Sequence, residues 1–441
     1  MCHNRFMDER PFPHPPSNQT SIKLKLRLPL VSFIVVLAAA FLLPSRVWNT
    51  LLIGLGGLFV VGYVWVRQLG AHLHGSRQLR FGWVAVGDQL EELFTLHNDS
   101  PLPALWVEIV DYTNIPGYKT AVVRSVSSQQ TDHWRETAVC QQRGQFSLGP
   151  WAIRSSDPFG LFQMTHFYSQ TEEIIIHPPI HGQLPIPLPT GSSSGQARVR
   201  QRSWQATTNA ATVRDYQPGD PLRWIHWPIS AHRGSLFVRE FDQDATGDIW
   251  ILLDCQAAVQ LGRGAQGTIE QAVLLAASLA ARAVRQNRAV GLAGYGRSPQ
   301  IVHTGRGEGQ QWRILRALAL LDADGSTHLQ TALLDLGRMA RRGTAVILIT
   351  PSAQADWLPE LVRLAQHGVE SNVVLLDRPS FGGVENSAGL ATAVRQLGFP
   401  CQIIHQGEVG TPLEAEQKRG FWEFRVSGTG KVVAVKSPAL P

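Results

Sequence analysis

Apolar residues crowd into one early stretch of the chain and then disperse into two different rhythms. The first long apolar run extends from Leu28 to Leu43, interrupted by Pro29 and Ser32, and the second from Val47 to Val66; neither contains a charge. A bilayer core about 30 Å thick needs roughly 20 helical residues. The second run meets that length. The first is slightly short and would need flanking residues or local thinning to span. Only Pro44, Ser45 and Arg46 separate the two, so residues 28–66 read as a transmembrane helical hairpin. Gly54, Gly56, Gly57 and Gly62 would let the two backbones approach closely.

Beyond the hairpin the rhythm changes twice. Residues 79–180 carry short strand-like stretches (Glu92–His97, Trp106–Val110, Glu172–His177) between Gly, Pro, Asn and Asp, the pattern of a small antiparallel β-sandwich. Arg143–Pro150 alternates polar and apolar before a turn, and Asp157–Phe162 is a turn flanked by aromatic anchors. Residues 182–212 hold Pro185, Pro187 and Pro189, a Gly-Ser run and Arg198, Arg200 and Arg202 without an acid, and read as a flexible linker. Over 247–410 buried strands alternate with helices. Strands are expected at 248–254, 289–293, 345–350, 372–377 and 402–405, and helices at 268–286, 311–321, 329–341, 357–366 and 388–397. That alternation implies an α/β domain with a parallel sheet covered on both faces. Its ligand-binding end would be the carboxyl ends of the strands, which points to Asp254 and the Thr350-Pro351-Ser352 turn. Residues 1–27 form a basic N-terminal segment expected to be disordered, and 411–441 a C-terminal tail.

Composition and charge refine this outline. The chain has 441 residues, 44% hydrophobic and 17% charged, enough for two or three domains. Arg5, Arg10, Lys23, Lys25 and Arg27 precede the hairpin, Arg67, Arg77 and Arg80 follow it, and its turn holds only Arg46. The positive-inside bias therefore places both termini and the soluble domains in the cytoplasm. A cleaved signal peptide competes for the first run, but a second run follows at once and the preceding segment is long. The four cysteines, Cys2, Cys140, Cys255 and Cys401, show no metal spacing and suit a reducing compartment. The net charge of +6 is modest; it suggests attraction to anionic lipid, and no nucleic-acid motif is visible.

The densest chemistry lies at 213–242. It runs Arg214-Asp215-Tyr216-Gln217-Pro218-Gly219-Asp220-Pro221-Leu222-Arg223-Trp224-Ile225-His226-Trp227, then Ser230-Ala231-His232-Arg233, and closes on the alternating strand Leu236-Phe237-Val238-Arg239-Glu240-Phe241. Pro218-Gly219-Asp220-Pro221 is a forced turn. This segment resembles the hallmark of the DUF58 family, a bacterial group of uncharacterised function, departing at His232 where the family usually has Arg. The Arg143–Pro150 and Asp157–Phe162 stretches and the N-terminal hairpin are also similar, so the resemblance covers about Leu28–Gln406. It implies a von Willebrand factor A-like, Rossmann-like domain after the signature. It also implies frequent association with MoxR-type AAA+ ATPases, often alongside transglutaminase-like membrane proteins.

Two chemistries compete for the signature. Asp215, Asp220, Arg223 and His226 could supply acid, base and anion clamp of a hydrolase or phosphoryl-handling enzyme. Alternatively, Arg223 and Arg239 pair with Asp215 and Glu240, and the segment is structural or docks a partner. No nucleophile with a placed base is evident, and Ser230 with His232 has no triad spacing. The Mg²⁺ loop that A-type domains place after their first strand would here be Asp254, Gln256 and Ala258; Ala258 cannot ligate, so this metal site reads as degenerate. Gly291–Gly296 and Gly305–Gly309 lack the phosphate-loop Lys-Ser/Thr and read as turns. The expectation is a non-enzymatic, membrane-anchored adaptor without cofactor. Its partners would be the lipid bilayer, other membrane proteins and a MoxR-type ATPase. The residues expected to build the docking or structural signature are Arg214, Asp215, Tyr216, Pro218, Gly219, Asp220, Arg223, His226, Trp227, Ser230, Arg239 and Glu240.

Overall fold

The computed structural model describes residues 20–43, 45–79, 84–118, 121–182, 184, 186–189, 210–217, 222, 225–241, 247–409, 423–426 and 432–436. The chain divides into two compact units, one of residues 1–177 with 416–441 and the other of residues 178–415.

The first unit opens with strand β1 (Thr20–Leu24), then helices α1 (Leu28–Leu42) and α2 (Arg46–His72). Ten strands follow: β2 (Leu73–Leu79), β3 (Val84–Ala85), β4 (Gln89–Asn98), β5 (Ala104–Asp111), β6 (Ala121–Val126), β7 (Gln130–Val139), β8 (Gly144–Leu148), β9 (Trp151–Ser156), β10 (Phe162–Tyr168) and β11 (Glu172–His177). They form sheets ordered β1-β10-β9-β5-β6, β2-β4-β7 and β3-β11-β8. Period-two alternation explains the layering. On β4, Leu90, Phe94 and Leu96 face inward; Phe94 and Leu96 meet Val107 and Ile109 of β5 and Trp151 and Ile153 of β9, whereas Leu90 packs with Leu148 of β8 and Ile174 of β11. The sandwich expected from residue 79 thus begins earlier. Thr20–Leu24, expected to be disordered, pairs antiparallel with β10, because Ile22 can lie against the core.

The helix pair also differs from expectation. Among the described residues, only α2 is long and apolar enough to cross a membrane, judged by length and composition; α1 is a shorter apolar helix. α2 does not stop at Val66. Its last turns bury Gly62, Val66 and Leu69, and Val66 and Leu69 belong to the sandwich core. Of the four glycines, Gly56 faces α1 at Phe33, whereas Gly62 faces Asp157 and Phe162 of the sandwich.

The second unit contains β12 (Ala210–Asp215), α3 (Trp227–Arg233) and β13 (Phe237–Phe241). An α/β layer follows: β14 (Ile249–Leu253), α4 (Thr268–Arg285), β15 (Val290–Gly294), β16 (Gln300–Gly305), α5 (Glu308–Ala319), α6 (Leu329–Met339), β17 (Ala345–Thr350), α7 (Leu358–Gln366), β18 (Glu370–Leu376), α8 (Ser387–Gln396) and β19 (Cys401–Ile404). The sheet order is β16-β15-β14-β17-β18-β19, parallel throughout except that β16 runs antiparallel to β15. Residues on β14 serve two cores: Ile249, Ile251 and Leu253 pack with α4 and α5, and Trp250 and Leu252 with α6, α7 and α8. Burial of each such side chain contributes about 1.5–3 kcal/mol.

Two readings need correction here. The start of the segment read as a flexible linker is packed: Ile186 is buried, and Ile180, Leu184 and Leu188 lie on the α4 side of the sheet. His181 N–H donates to Ser278 Oγ at 2.8 Å, and Arg282 donates to the Ile186 carbonyl at 2.9 Å. Of the rest of that reading, residues 190–209 lie outside the described residues, and 210–212 open strand β12. The strand expected at 289–293 is β15 (Val290–Gly294), so the turn read over Gly291–Gly296 begins only at its end. The strand needs glycine because a Cβ on Gly294 would stand 2.6 Å from Leu321. The tail contributes a hairpin, β20 (Glu423–Val426) with β21 (Val432–Lys436).

Candidate functional site

The signature folds as a small sheet of its own. β12 pairs antiparallel with β13, with Arg214 opposite Val238 and Asp215 opposite Phe237. On the other edge of β13, Ile225 bridges to Val238, and His226 N–H donates to the Phe237 carbonyl at 2.8 Å. Asp215 and His226 therefore lie on opposite edges of one strand, with Phe237 between them. His226 caps α3: its Nδ1 accepts from Ile229 N–H at 3.3 Å, satisfying an amide that the helix start leaves open. Ser230 is buried, and its hydroxyl accepts from Phe237 N–H at 2.8 Å. Gly234 ends the helix in the left-handed conformation.

The polar groups of His226 and Ser230 are thus engaged with backbone, whereas Trp227 is 64% exposed, Leu222 66% and Leu236 42%. Tyr216 N–H donates to the Leu236 carbonyl at 2.8 Å, fixing the end of the hairpin. Pro218, Gly219, Asp220 and Arg223 lie outside the described residues, and Arg214, Arg239 and Glu240 are described in backbone only. The pairing expected of Arg223 and Arg239 with Asp215 and Glu240 falls there too.

A second candidate lies at the carboxyl end of the sheet. β14 and β17 are neighbours from which the chain proceeds to opposite sides, the switch point where α/β sheets bind ligands. Asp254 follows β14 and is buried. Thr350 Oγ1 donates to its Oδ2 at 2.6 Å, and Gln256 N–H donates to its Oδ1 at 3.1 Å. Burial holds the Asp254 carboxyl above the usual range for an aspartate, against the opposing pull of those two hydrogen bonds. Ser352 N–H donates to Thr350 Oγ1 at 2.9 Å, so the turn beside Asp254 is fully tied. Gly325 runs alongside, donating to the Cys255 carbonyl at 3.1 Å, and a Cβ there would collide with the Tyr295 carbonyl. The donor set does not fit a hard cation, which needs six or more oxygens. Asp254 is the one carboxylate of the set, the Gln256 Nε2 meets His328 Nδ1 at 3.2 Å, and Ala258 offers no ligand atom.

A third cluster escaped the sequence reading. Arg77 on β2 makes a charged fork: Nη2 stands 2.7 Å from Glu92 of β4 and 2.9 Å from Asp111 of β5. Tyr118 donates its hydroxyl to Glu92. All three charged side chains are buried. Burial pushes the Glu92 carboxyl up despite the guanidinium. Arg77, read as a charge flanking the membrane helices, instead joins the two sheets of the sandwich. Cys140, Cys255 and Cys401 are buried and form no disulfide among the described residues, and burial pushes the Cys140 thiol up to about 12.

Residues 212–378 match DUF58, described as a protein of unknown function. The chain is similar to the uncharacterized protein YeaD of Bacillus subtilis (strain 168), 23% identical over 296 residues, covering 64% of this chain and 71% of that protein. It is also similar to the uncharacterized protein Rv1480 of Mycobacterium tuberculosis (strain ATCC 25618 / H37Rv), 26% identical over 235 residues, covering 51% and 68%. Among solved structures, the conserved hypothetical protein BatB from Bacteroides thetaiotaomicron matches 36% of this chain and 91% of its own, with 14% identity and a TM-score of 0.28. A von Willebrand factor type A protein from Catenulispora acidiphila matches 39% of this chain and 40% of its own, with 14% identity and a TM-score of 0.27. The matched segment takes in α3, β13 and all but the last strand of the six-stranded sheet, and over these residues the chain is similar to the DUF58 family.

Proposed function

We propose that this protein is a membrane-tethered adaptor, without catalytic activity of its own, that serves a MoxR-type AAA+ ATPase in assembling or remodelling membrane protein complexes. The observation that carries the reading is the signature's division of labour. Its buried Ser230 and its His226 are hydrogen-bonded to backbone, while Trp227, Leu222 and Leu236 face solvent. A reaction site gathers polar groups in a concave pocket; an aromatic standing out beside other apolar side chains suits a protein contact.

The rest of the reading rests on the anchor and the sheet. α2 has the length and composition of a membrane span. With α1 as its shorter partner, and with exposed Lys23, Lys25, Arg27 and Arg67 at the open end of the pair, the positive-inside bias favours cytoplasmic soluble units. The sheet order, with a single antiparallel edge strand at β16, supports a von Willebrand factor A-like fold. In this account Asp220, Arg223, His226 and Trp227 hold the docking surface. Trp227→Ala and Asp220→Ala should remain in the membrane fraction after alkaline extraction, yet lose an ATPase partner captured by the parent chain. Undiminished capture by both variants would remove the signature from the docking role.

A further inference from the structure

The first unit gathers several exposed apolar side chains at one end of its larger sheet, and that end is where the helices leave it. Leu24 pairs with Phe162, Gln163 with Ser156, and Val107 with Ser155. The ends of β1 and β9 and the starts of β10 and β5 therefore lie together. Three large side chains project there: Leu105 at 55% exposure, Phe159 at 48% and Leu26 at 45%. α1 begins two residues after Leu26.

The loop that presents Phe159 is rigidly built. Asp157 is buried and accepts from Phe159 N–H at 3.0 Å and Phe162 N–H at 2.6 Å. Lys25 N–H donates to the Leu161 carbonyl at 2.7 Å, and the Lys25 ammonium stands over the Trp106 ring at 5.4 Å. This is the amphipathic pairing of a lysine with an interfacial aromatic.

Helix length sets the depth. α1 is 15 residues long, about 22 Å at 1.5 Å per residue, and α2 runs about 25 Å from Arg46 before Gly62 meets Asp157. Both fall short of a hydrocarbon core of about 30 Å. The sandwich already touches the helices within their apolar zone, since Phe162 packs on Phe59 at 6.2 Å and on Tyr63 at 5.7 Å.

We propose that this end of the sandwich, led by Phe159, Leu105 and Leu26 and flanked by Lys25 and Arg27, is seated in the headgroup and upper acyl zone of an anionic bilayer. It thereby makes up the length that the helix pair lacks. The inference rests on the membrane reading given above.

The test places a photoreactive benzoylphenylalanine singly at Phe159, Leu105, Val60 or Gln170 of the full chain. Val60 is an exposed α2 residue, and Gln170 is exposed beyond the opposite end of β10. The protein is reconstituted in nanodiscs of phosphatidylcholine with phosphatidylglycerol, irradiated, and its lipid adducts are weighed by mass spectrometry. Adducts at Phe159 and Leu105 within a few-fold of Val60, with Gln170 at least tenfold lower, are expected. Adducts at Val60 alone would overturn the seating while leaving the membrane reading intact. Equal labelling at Gln170 and Phe159 would also overturn it. Lack of adducts at Val60 would overturn both.

Discussion

Glu92 in the β-sandwich and Asp254 in the parallel sheet are buried acids held by opposite means. Glu92 meets a guanidinium that is shared with Asp111, across three strands from two sheets. Asp254 meets a hydroxyl and a backbone amide at the end of one strand. Burial raises both carboxyls, yet the consequences differ. The first acid belongs to a charge network that joins two layers, where losing one partner strands the others. The second is a local strand-end acid that keeps the switch-point turn in place. A sandwich whose two sheets meet across a buried charge network depends on that network; a sheet with two thick apolar cores does not depend on any one polar bond.

The largest test of this contrast is Arg77→Ala, which leaves two carboxylates buried without their cation. It should cost about 3–5 kcal/mol, read as a shift of the sandwich's denaturant unfolding midpoint. The triple change Arg77→Met, Glu92→Leu, Asp111→Leu should cost less than Arg77→Ala alone. Next comes Asp254→Ala, at about 1–3 kcal/mol for the stranded Thr350 hydroxyl and Gln256 amide. Asp254→Asn keeps an acceptor and should cost less. If Asp254→Ala proves as damaging as Arg77→Ala, the contrast fails.

A smaller effect is the pH dependence. With its folded value above the unfolded one, Asp254 keeps a proton in the folded state over a range where the unfolded chain has lost it. Its contribution is full below the ordinary aspartate value of about 4 and is lost as pH rises through the folded value. Thermal melts across that range should show a shallower fall for Asp254→Asn than for the parent. A steeper fall would contradict the burial argument. Smallest is the signature itself: Ser230→Ala should cost about 1 kcal/mol by orphaning Phe237 N–H, while exposed Trp227→Ala should change stability by no more than about 0.5 kcal/mol.

Legibility in the sequence followed the hydrophobic pattern. β14 and β17 are unbroken apolar runs buried on both faces, and they appeared close to their observed limits. The switch-point rule then pointed to Asp254 and Thr350, which the structure joins. β16 was missed because an edge strand half open to solvent shows little apolar content. β1 was missed because its five residues sit in a lysine-rich run beside the first apolar segment. The packed strap at 180–189 did carry a signal, since Ile180, Leu184, Ile186 and Leu188 recur at even spacing, but its prolines masked it. Arg77, Glu92 and Asp111 are separated in sequence and meet only because two sheets stack. The one local sign was Glu92 on the inward phase of β4.

Docking of an AAA+ ATPase at a membrane remains the proposal made above. Its most direct test is purification of the tagged full-length protein from native membranes in mild detergent, with and without ATP, followed by mass spectrometry of what accompanies it. The account predicts recovery of a MoxR-type ATPase that changes with nucleotide and is lost with Trp227→Ala. Reproducible recovery of the protein without any such ATPase, in every nucleotide condition, would contradict it.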